Sequence, residues 1–448
     1  MKIIQSGKQN IHEILGPQRK KPDKEYVRSN WCFFVPCEDG TLLYHTLTGA
    51  LYLLEAGETP ESLSDALLPA RFFVPVGTNE HKQARDVSAV LTTMQEKPLP
   101  KTGFTVFTTT DCNARCFYCY EMGRSRVAMT ERIAHDAAAY MLRVSGGKEL
   151  SITWFGGEPL YNRAAIETIC DDLRAAGRPF RSKMASNGYY LTPDTARTAR
   201  EQWNLKYVQI TLDGTKEIYQ RSKAYIERDP NAFERVLDNI AGTLAEGIRV
   251  SIRLNMDSRN ADDLRNLVIL LGERFAGDKN LQVYPALLKE YVGAIHPFAD
   301  EEETFANFRF LQETIDLAGL KRNSKQGSKI YGSICMADSD ACEVILPDGR
   351  IGKCEHFSES EIIGSIYSDE RDEALIRDWK RLAPDCPECA DCALYPRCRH
   401  LAKCDWTEPS CRPSRRMVEE YKLTRMVLEK YEAYKNQTET AAEEEDEI

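Results

Sequence analysis

An α/β protein built around a parallel sheet is the fold class this sequence predicts, with a small α+β module before the sheet and a cysteine-rich segment after it. Three observations predict it. From residue 104 six apolar, strand-like runs alternate with five segments of helical period. Ahead of them, a hairpin-like pair of runs precedes helix-period segments. Behind them, between 330 and 412, periodicity gives way to prolines, glycines and nine cysteines.

The elements follow in order. Residues 1–30 are polar and charged and read as a loosely ordered arm. "NWCFFVPC" and "TLLYHTLTGALYLLE" read as strands, the second broken by Thr-Gly as in a hairpin. Residues 59–98 read as helix, short strand ("RFFVPVG") and helix ("EHKQARDVSAVLTTMQEK"), so 31–98 makes a small α+β module and "KPLPKTG" (97–103) a linker. The core strands are "GFTVFTT", "LSITWFGG", "PFRSKMASNG", "LKYVQITLDG", "RVSIRLNMD" and "LQVYPALL". Between them lie "MTERIAHDAAAYMLRVS", "RAAIETICDDLRAAG", "TPDTARTAREQW", "AFERVLDNIAGTLAEG" and "NADDLRNLVILLGERFAG". This alternation makes a parallel sheet with right-handed crossovers, and in such sheets ligands sit at the carboxyl ends of the strands. The core spans 104–325, its last helix and exit falling at 299–325; the cysteine-rich segment takes 330–412. Residues 413–448 hold a terminal helix to about 435 and an acidic tail, "ETAAEEEDEI", expected to be disordered.

Bulk composition narrows the function. A chain of 448 residues has room for two or three domains, and 42% hydrophobic with 29% charged residues is ordinary for a globular protein. No apolar run approaches a membrane span, and "MKIIQSGKQN" lacks a signal peptide's apolar core, so the cytoplasm is the expected location, with no membrane partner. The net charge of −10 argues against a general affinity for nucleic acid. Of 15 cysteines, three fall at 112–119 and nine between 335 and 411. Clustered thiols in a reducing compartment bind metal or do redox chemistry, whereas Cys32, Cys37 and Cys170 suit small apolar core positions.

"TTTDCNARCFYCYEMG" (108–123) begins near the end of the first core strand and carries Cys112, Cys116 and Cys119. Four cysteines would close an iron–sulfur site. Three on one loop hold three irons of a cubane and leave the fourth open. A structural zinc with a fourth ligand from elsewhere is the alternative, but three-then-two spacing is less usual for it. The CxxxCxxC loop, with Tyr118 before Cys119, resembles the signature of the radical S-adenosylmethionine (SAM) enzymes. That resemblance implies a partial (β/α)6 barrel, a [4Fe–4S] cluster on Cys112, Cys116 and Cys119, and SAM chelating the open iron. It also implies chemistry: an electron from the cluster cleaves SAM to a 5′-deoxyadenosyl radical, which abstracts hydrogen from an unactivated carbon.

Further residues match that family's plan. "WFGGEP" (154–159) resembles its Gly-Gly-Glu-Pro motif, implying that Gly156 and Gly157 admit SAM's methionine end closely and that Glu158 accepts from its ammonium group. "ASNG" (185–188) puts Ser186 and Asn187 where the family places ribose and carboxylate contacts, though an ordinary turn also reads that way. "KEIYQRSK" resembles a segment with a basic contact to the SAM carboxylate: Arg221, with Lys223 the alternative. "RLN" (253–255) adds a further polar candidate.

The later cysteines, including "CEVILPDGRIGKC" and "CADCALYPRC", resemble the SPASM domain that extends many peptide-modifying radical SAM enzymes. The resemblance implies two auxiliary [4Fe–4S] clusters, three in all: one on Cys335, Cys342, Cys354 and Cys404, the other on Cys389, Cys392, Cys398 and Cys411. Two departures are the five-residue gap before Cys404, where three is usual, and the spare Cys386, a substitute for Cys404. A pair of zinc ribbons is the competing reading. "KCEHF" places Glu355 where sulfatase-maturating relatives carry an aspartate acting as general base; a solvated surface glutamate is the plain alternative, and His356 a weaker candidate.

The 31–98 module resembles, in size and order, the winged-helix-like peptide-recognition domain of maturases of ribosomally made peptides, of ranthipeptide and sactipeptide type. The expected function is therefore a radical SAM peptide maturase. It would bind a precursor peptide through this module, draw electrons from a flavodoxin or ferredoxin, and install a thioether or carbon–carbon cross-link. The alternatives are a sulfatase-maturating enzyme forming formylglycine and, from another class, a non-catalytic zinc-binding protein. Deleting 1–98 is expected to weaken peptide turnover yet spare uncoupled SAM cleavage.

Overall fold

The structure, a computed structural model, describes residues 1–95, 100–288, 297–321, 335–356, 359–398, 401–404 and 411–446. The expected boundary between 325 and 330, and residues 97–99 of the expected linker, lie outside them. The described residues form two compact units: one from Met1–Lys97 and Leu382–Ile448, the other from Pro98–Asn323 and Cys335–Arg381. The cysteine-rich stretch is thus shared between the units rather than gathered in one.

The second unit carries the parallel sheet. Its first six strands are β1 (Gly103–Thr109), β2 (Leu150–Gly156), β3 (Phe180–Ser186), β4 (Leu205–Leu212), β5 (Arg249–Met256) and β6 (Leu281–Leu287), side by side in sequence order and all parallel. The crossovers contain α1 (Glu131–Val144), α2 (Arg163–Ala175), α3 (Pro193–Glu201), α4 (Lys216–Lys223), α5 (Ala232–Ala245) and α6 (Ala261–Phe275). α1 starts where the Thr130 side chain accepts from the Ile133 N–H, and its buried face is Ala134, Ala137, Ala138, Tyr140 and Met141, at helical spacing. α3 begins with the same device, Thr192 capping and Pro193 in the first turn. α7 (Glu301–Leu317) lies within the expected 299–325.

Three short strands extend this sheet past β1: β7 (Cys342–Ile345), β8 (Arg350–Gly352) and β9 (Gly364–Ser365). β7 runs parallel to β1, with Cys342 opposite Gly103; β8 returns antiparallel, with Gly352 opposite Val344. Glycine is needed at 103, because a Cβ there would lie 2.6 Å from Cys342 Sγ. Periodicity could not announce strands of four, three and two residues, the first of which finds its partner β1 over 200 positions away.

The first unit holds an antiparallel sheet in the order Lys2–Gln5, Leu51–Leu54, Gly40–His45, Cys32–Cys37. Residues 1–30, expected as a loose arm, supply its outermost strand, the helix Gln9–Leu15, and the strand Tyr26–Arg28 paired with Phe73–Pro75. One core joins Val35, Leu42, Leu51 and Leu53 to Leu394, Leu423, Val427 and Tyr431. The terminal helix, Pro413–Asp446, takes in the acidic tail expected to be disordered; Glu and Ala are strong helix formers and extend it. Among the described residues no helix is long and apolar enough to cross a membrane.

Candidate active site

The cysteine triplet lies on the loop leaving β1, and the end of β2 is shaped around the root of that loop. Gly157 N–H donates to the Thr109 carbonyl (3.1 Å) and Glu158 N–H to the Asp111 carbonyl (3.0 Å). Gly156 has φ +131°; a Cβ on it would collide with the Thr109 carbonyl, and one on Gly157 with that of Asp111. The space beside both glycines is therefore filled by the loop's own carbonyls.

Glu158 is fully buried. Its Oε1 accepts from Ser186 Oγ (2.9 Å) and Leu160 N–H (3.1 Å), and its Oε2 from Asn187 N–H (2.7 Å). Burial pushes the carboxyl up to about 7, with these three donors pulling the other way. Asn187 Nδ2 donates to Asn113 Oδ1 (2.7 Å) and lies 3.8 Å from Cys112 Sγ. The residues singled out at two strand ends, Glu158, Ser186 and Asn187, are thus brought together beneath the first cysteine.

Beside Cys116 stands a second network. Tyr118 donates to Asp213 (2.8 Å), while Lys223 Nζ donates to Tyr118 Oη (2.9 Å) and pairs with Asp213 (3.0 Å). Burial opposes the charge on Lys223, but Asp213, Tyr118 and Cys116 outweigh it and hold the ammonium well above its usual value. Arg221, chosen from the sequence, is exposed on α4; Lys223 is the basic residue that reaches the loop. The end of α4 is also tied there by its backbone, Arg115 N–H donating to the Lys223 carbonyl (2.8 Å) and Ile226 N–H to that of Asn113 (2.9 Å). Asp213 is a site residue beyond those the sequence reading names, and "LDG" at a strand end is its signal. Arg259, whose guanidinium lies 4.6 Å from the Phe117 ring centroid, had no sequence signal. Of "RLN", Arg253 Nε donates to Asn255 Oδ1 (2.9 Å).

The loop's other end meets the segment after β8. Tyr120 stacks on His356 with centroids 4.0 Å apart. Glu355 is half-buried, and its Oε2, like Glu121 Oε1, is enclosed without a hydrogen-bond partner among the described residues. Burial pushes Glu121 up to about 7. Cys342 opens β7 and Cys354 follows β8, while Cys335 is exposed. In the other unit, Cys392 and Cys398 pack against the core formed with the terminal helix, and Cys386 Sγ lies 3.1 Å from Cys389 Sγ. Cys404 and Cys411 belong to that unit as well.

Among the described residues no three His, Cys, Asp or Glu side chains converge tightly enough for a single metal ion. A cubane asks for something else: soft thiolates at separate corners. The triplet fits that demand. Burial pushes Cys112 up to about 12 and Cys119 to about 11, so these thiols need a positive centre to ionise. Fully buried Asn113, next to Cys112, keeps Nδ2 without an acceptor among the described residues.

Residues 106–271 match the model of the Radical SAM superfamily. This part of the chain is similar to a radical SAM domain. The cofactors of such a domain are SAM and a [4Fe–4S] cluster, and the triplet is the thiol set suited to that cluster. Fe-coproporphyrin III synthase of Methanosarcina barkeri is 24% identical over 162 residues, 36% of this chain and 39% of the relative, so the chain spans well under half of that protein. Two solved structures share the fold. Native anSMEcpe with bound AdoMet and Cp18Cys peptide superposes with a TM-score of 0.56 at 17% identity, covering 75% of this chain and 100% of that one. Streptococcus suis SuiB bound to precursor peptide SuiA gives 0.51 at 13% identity, covering 84% and 94%. The matched residues run from within β1 into α6; β6, β7–β9 and the other unit lie outside them.

Proposed function

We propose that the chain is a radical SAM peptide maturase that installs a thioether or carbon–carbon cross-link in a ribosomally made precursor. When bound, the cluster and SAM supply a 5′-deoxyadenosyl radical that takes hydrogen from the substrate. Cys112, Cys116 and Cys119 would hold the cluster, with Lys223 as the fixed cation of the site. Glu355 would take the proton that leaves as the new bond forms. The observation that carries this reading is the Tyr120–His356 stack, which sets Glu355, with a carboxylate oxygen that has no partner among the described residues, against the loop bearing the triplet. Cys335, Cys342 and Cys354, and separately Cys389, Cys392, Cys398 and Cys411, would hold auxiliary clusters that take up the surplus electron. A flavodoxin or ferredoxin would supply the first one.

The precursor would bind by adding a strand. Lys2–Gln5 covers one edge of the antiparallel sheet, and Cys32–Cys37 forms the other. Pro36, which has no N–H to give, and exposed Phe34 suit an outer strand. The fold shared with SuiB bound to its precursor peptide supports a peptide substrate. The fold shared with anSMEcpe bound to a peptide favours a second reading, formylglycine formation from cysteine or serine.

The test is anaerobic turnover of reconstituted protein with SAM, reductant and peptides encoded beside the gene. Deoxyadenosine should be released, and release should cease when the triplet is changed to alanine. Release unaffected by those changes would sink the proposal. A cross-linked peptide is lighter by two hydrogens alone. Formylglycine from cysteine also exchanges sulfur for oxygen, so mass spectrometry separates it; formylglycine from serine loses the same two hydrogens, and trapping of its aldehyde with a hydrazine tells it from a cross-link.

A further inference from the structure

Two lysines are buried among the described residues, Lys223 and Lys353, and they are satisfied differently. Lys223 pairs with a carboxylate. Lys353, 2% exposed, instead donates to two backbone carbonyls, those of Ser339 (2.6 Å) and Cys342 (2.9 Å). Glu343, the buried acid next along β7, and Asp340 favour its ammonium charge from farther off; Glu343 itself accepts from Tyr140 Oη and lies 3.6 Å from Arg371 Nε and 3.8 Å from Lys101 Nζ. These groups line a cavity of about 380 Å³. A buried ammonium held by carbonyls is expensive for stability alone, since an apolar side chain of similar length would fill the volume without a charge to desolvate. Besides these two acids, the site leaves room for a further negatively charged partner when the protein works.

The chain around it says what that partner is. Lys353 immediately precedes Cys354, and the carbonyl it holds belongs to Cys342, the first residue of β7. Because β8 runs antiparallel to β7 with Gly352 opposite Val344, Lys353 leaves β8 where β7 begins, and its side chain bridges the two cysteine-bearing ends. Thiolates around an iron–sulfur cluster bring net negative charge, and nearby charge together with hydrogen bonding sets how readily the cluster accepts an electron. We infer that Lys353 is a positioning residue for Cys342 and Cys354, and that its buried ammonium raises the reduction potential of the cluster they hold. This rests on the reading of those cysteines as ligands. It deepens that reading, because a cluster receiving the surplus electron of peptide oxidation needs a potential above that of the substrate radical that gives the electron up.

The test is an electron-paramagnetic-resonance redox titration of the anaerobically reconstituted full chain, with iron and sulfide counted for each variant. In K353M the midpoint of one auxiliary signal should move to lower potential; K353R, which keeps the charge, should return it towards the wild-type value. Loss of one cluster's iron in K353M, restored in K353R, supports the positioning role equally. K353Q keeps a donor for the carbonyls without the charge, and it decides the matter should K353M not fold: its iron should stay and its midpoint fall. Unchanged midpoints at full iron content in K353M and K353Q overturn the inference, as does an iron loss that K353R does not restore. Full iron retention in C342A and C354A would instead remove the ligand reading, a separable outcome.

Discussion

Lys223 shows how one side chain can organise a radical site before any cofactor enters it. At 3% exposure, between Tyr118 and Asp213, its charge is fixed rather than solvated. Removing it alone leaves the Asp213 carboxylate buried without its ion partner, a loss of about 3–5 kcal/mol for broken buried pairs. Lys223→Met should therefore lower stability by that order in chemical denaturation, and Asp213→Asn in the same chain should recover part of it. Arg221→Ala, on the exposed side, should be close to neutral. The choice between 221 and 223 stayed open in the sequence for a geometrical reason. Residues two apart on a helix point to nearly opposite faces, and only packing tells which face meets the loop. Cysteine spacing, by contrast, is local, so Cys112, Cys116 and Cys119 were legible at once.

At the scale of elements, the Gly156–Gly157 pair couples β2 to the cluster loop more tightly than its motif suggests. A Cβ on Gly157 would meet backbone, the Asp111 carbonyl, which cannot swing aside as a side chain end would. Gly157→Ala should displace the loop root one residue ahead of Cys112, and a misplacement of that kind costs on the order of 10²-fold in rate. Deoxyadenosine release per iron is the measurement; unchanged release would mean that the loop tolerates the shift. Elements of seven or eight residues with clear alternation, such as β2 and β4, were legible because their own side chains encode them. β7 and the Lys2–Gln5 strand were not, because four residues carry too little pattern and their hydrogen bonds come from distant partners. Cys342 adds a reason: chosen for its thiol, it looks nothing like a strand residue.

Across the whole molecule, the chain's two ends build one unit, and this changes how its recognition module must be tested. Residues 31–98 look separable in the sequence, and deletion of 1–98 is expected there to spare uncoupled SAM cleavage. In the structure Val35, Leu42, Leu51 and Leu53 share a core with Leu394, Leu423, Val427 and Tyr431, while Trp31 and Val87 pack with Tyr395. Cys392 and Cys398 lean on the first of these cores and Cys389 on the second. Removing 1–98 would expose both apolar faces, so the truncated chain should lose the iron assigned to Cys389, Cys392, Cys398 and Cys411, about four of about twelve atoms if three cubanes are present. A fall in peptide turnover after that deletion would say nothing about recognition. A point change on the outer strand avoids the confusion. Phe34 is 38% exposed on Cys32–Cys37, so Phe34→Asp puts a charge on the edge where the peptide would pair without emptying a core. Peptide affinity, measured by titration, should drop by roughly tenfold, as when a strand-addition contact of about 1.4 kcal/mol is lost. Iron content and uncoupled deoxyadenosine release should stay at wild-type values. Equal peptide affinity in that variant would move recognition off this edge, and a parallel fall in iron would show that the strand serves the cysteine framework instead.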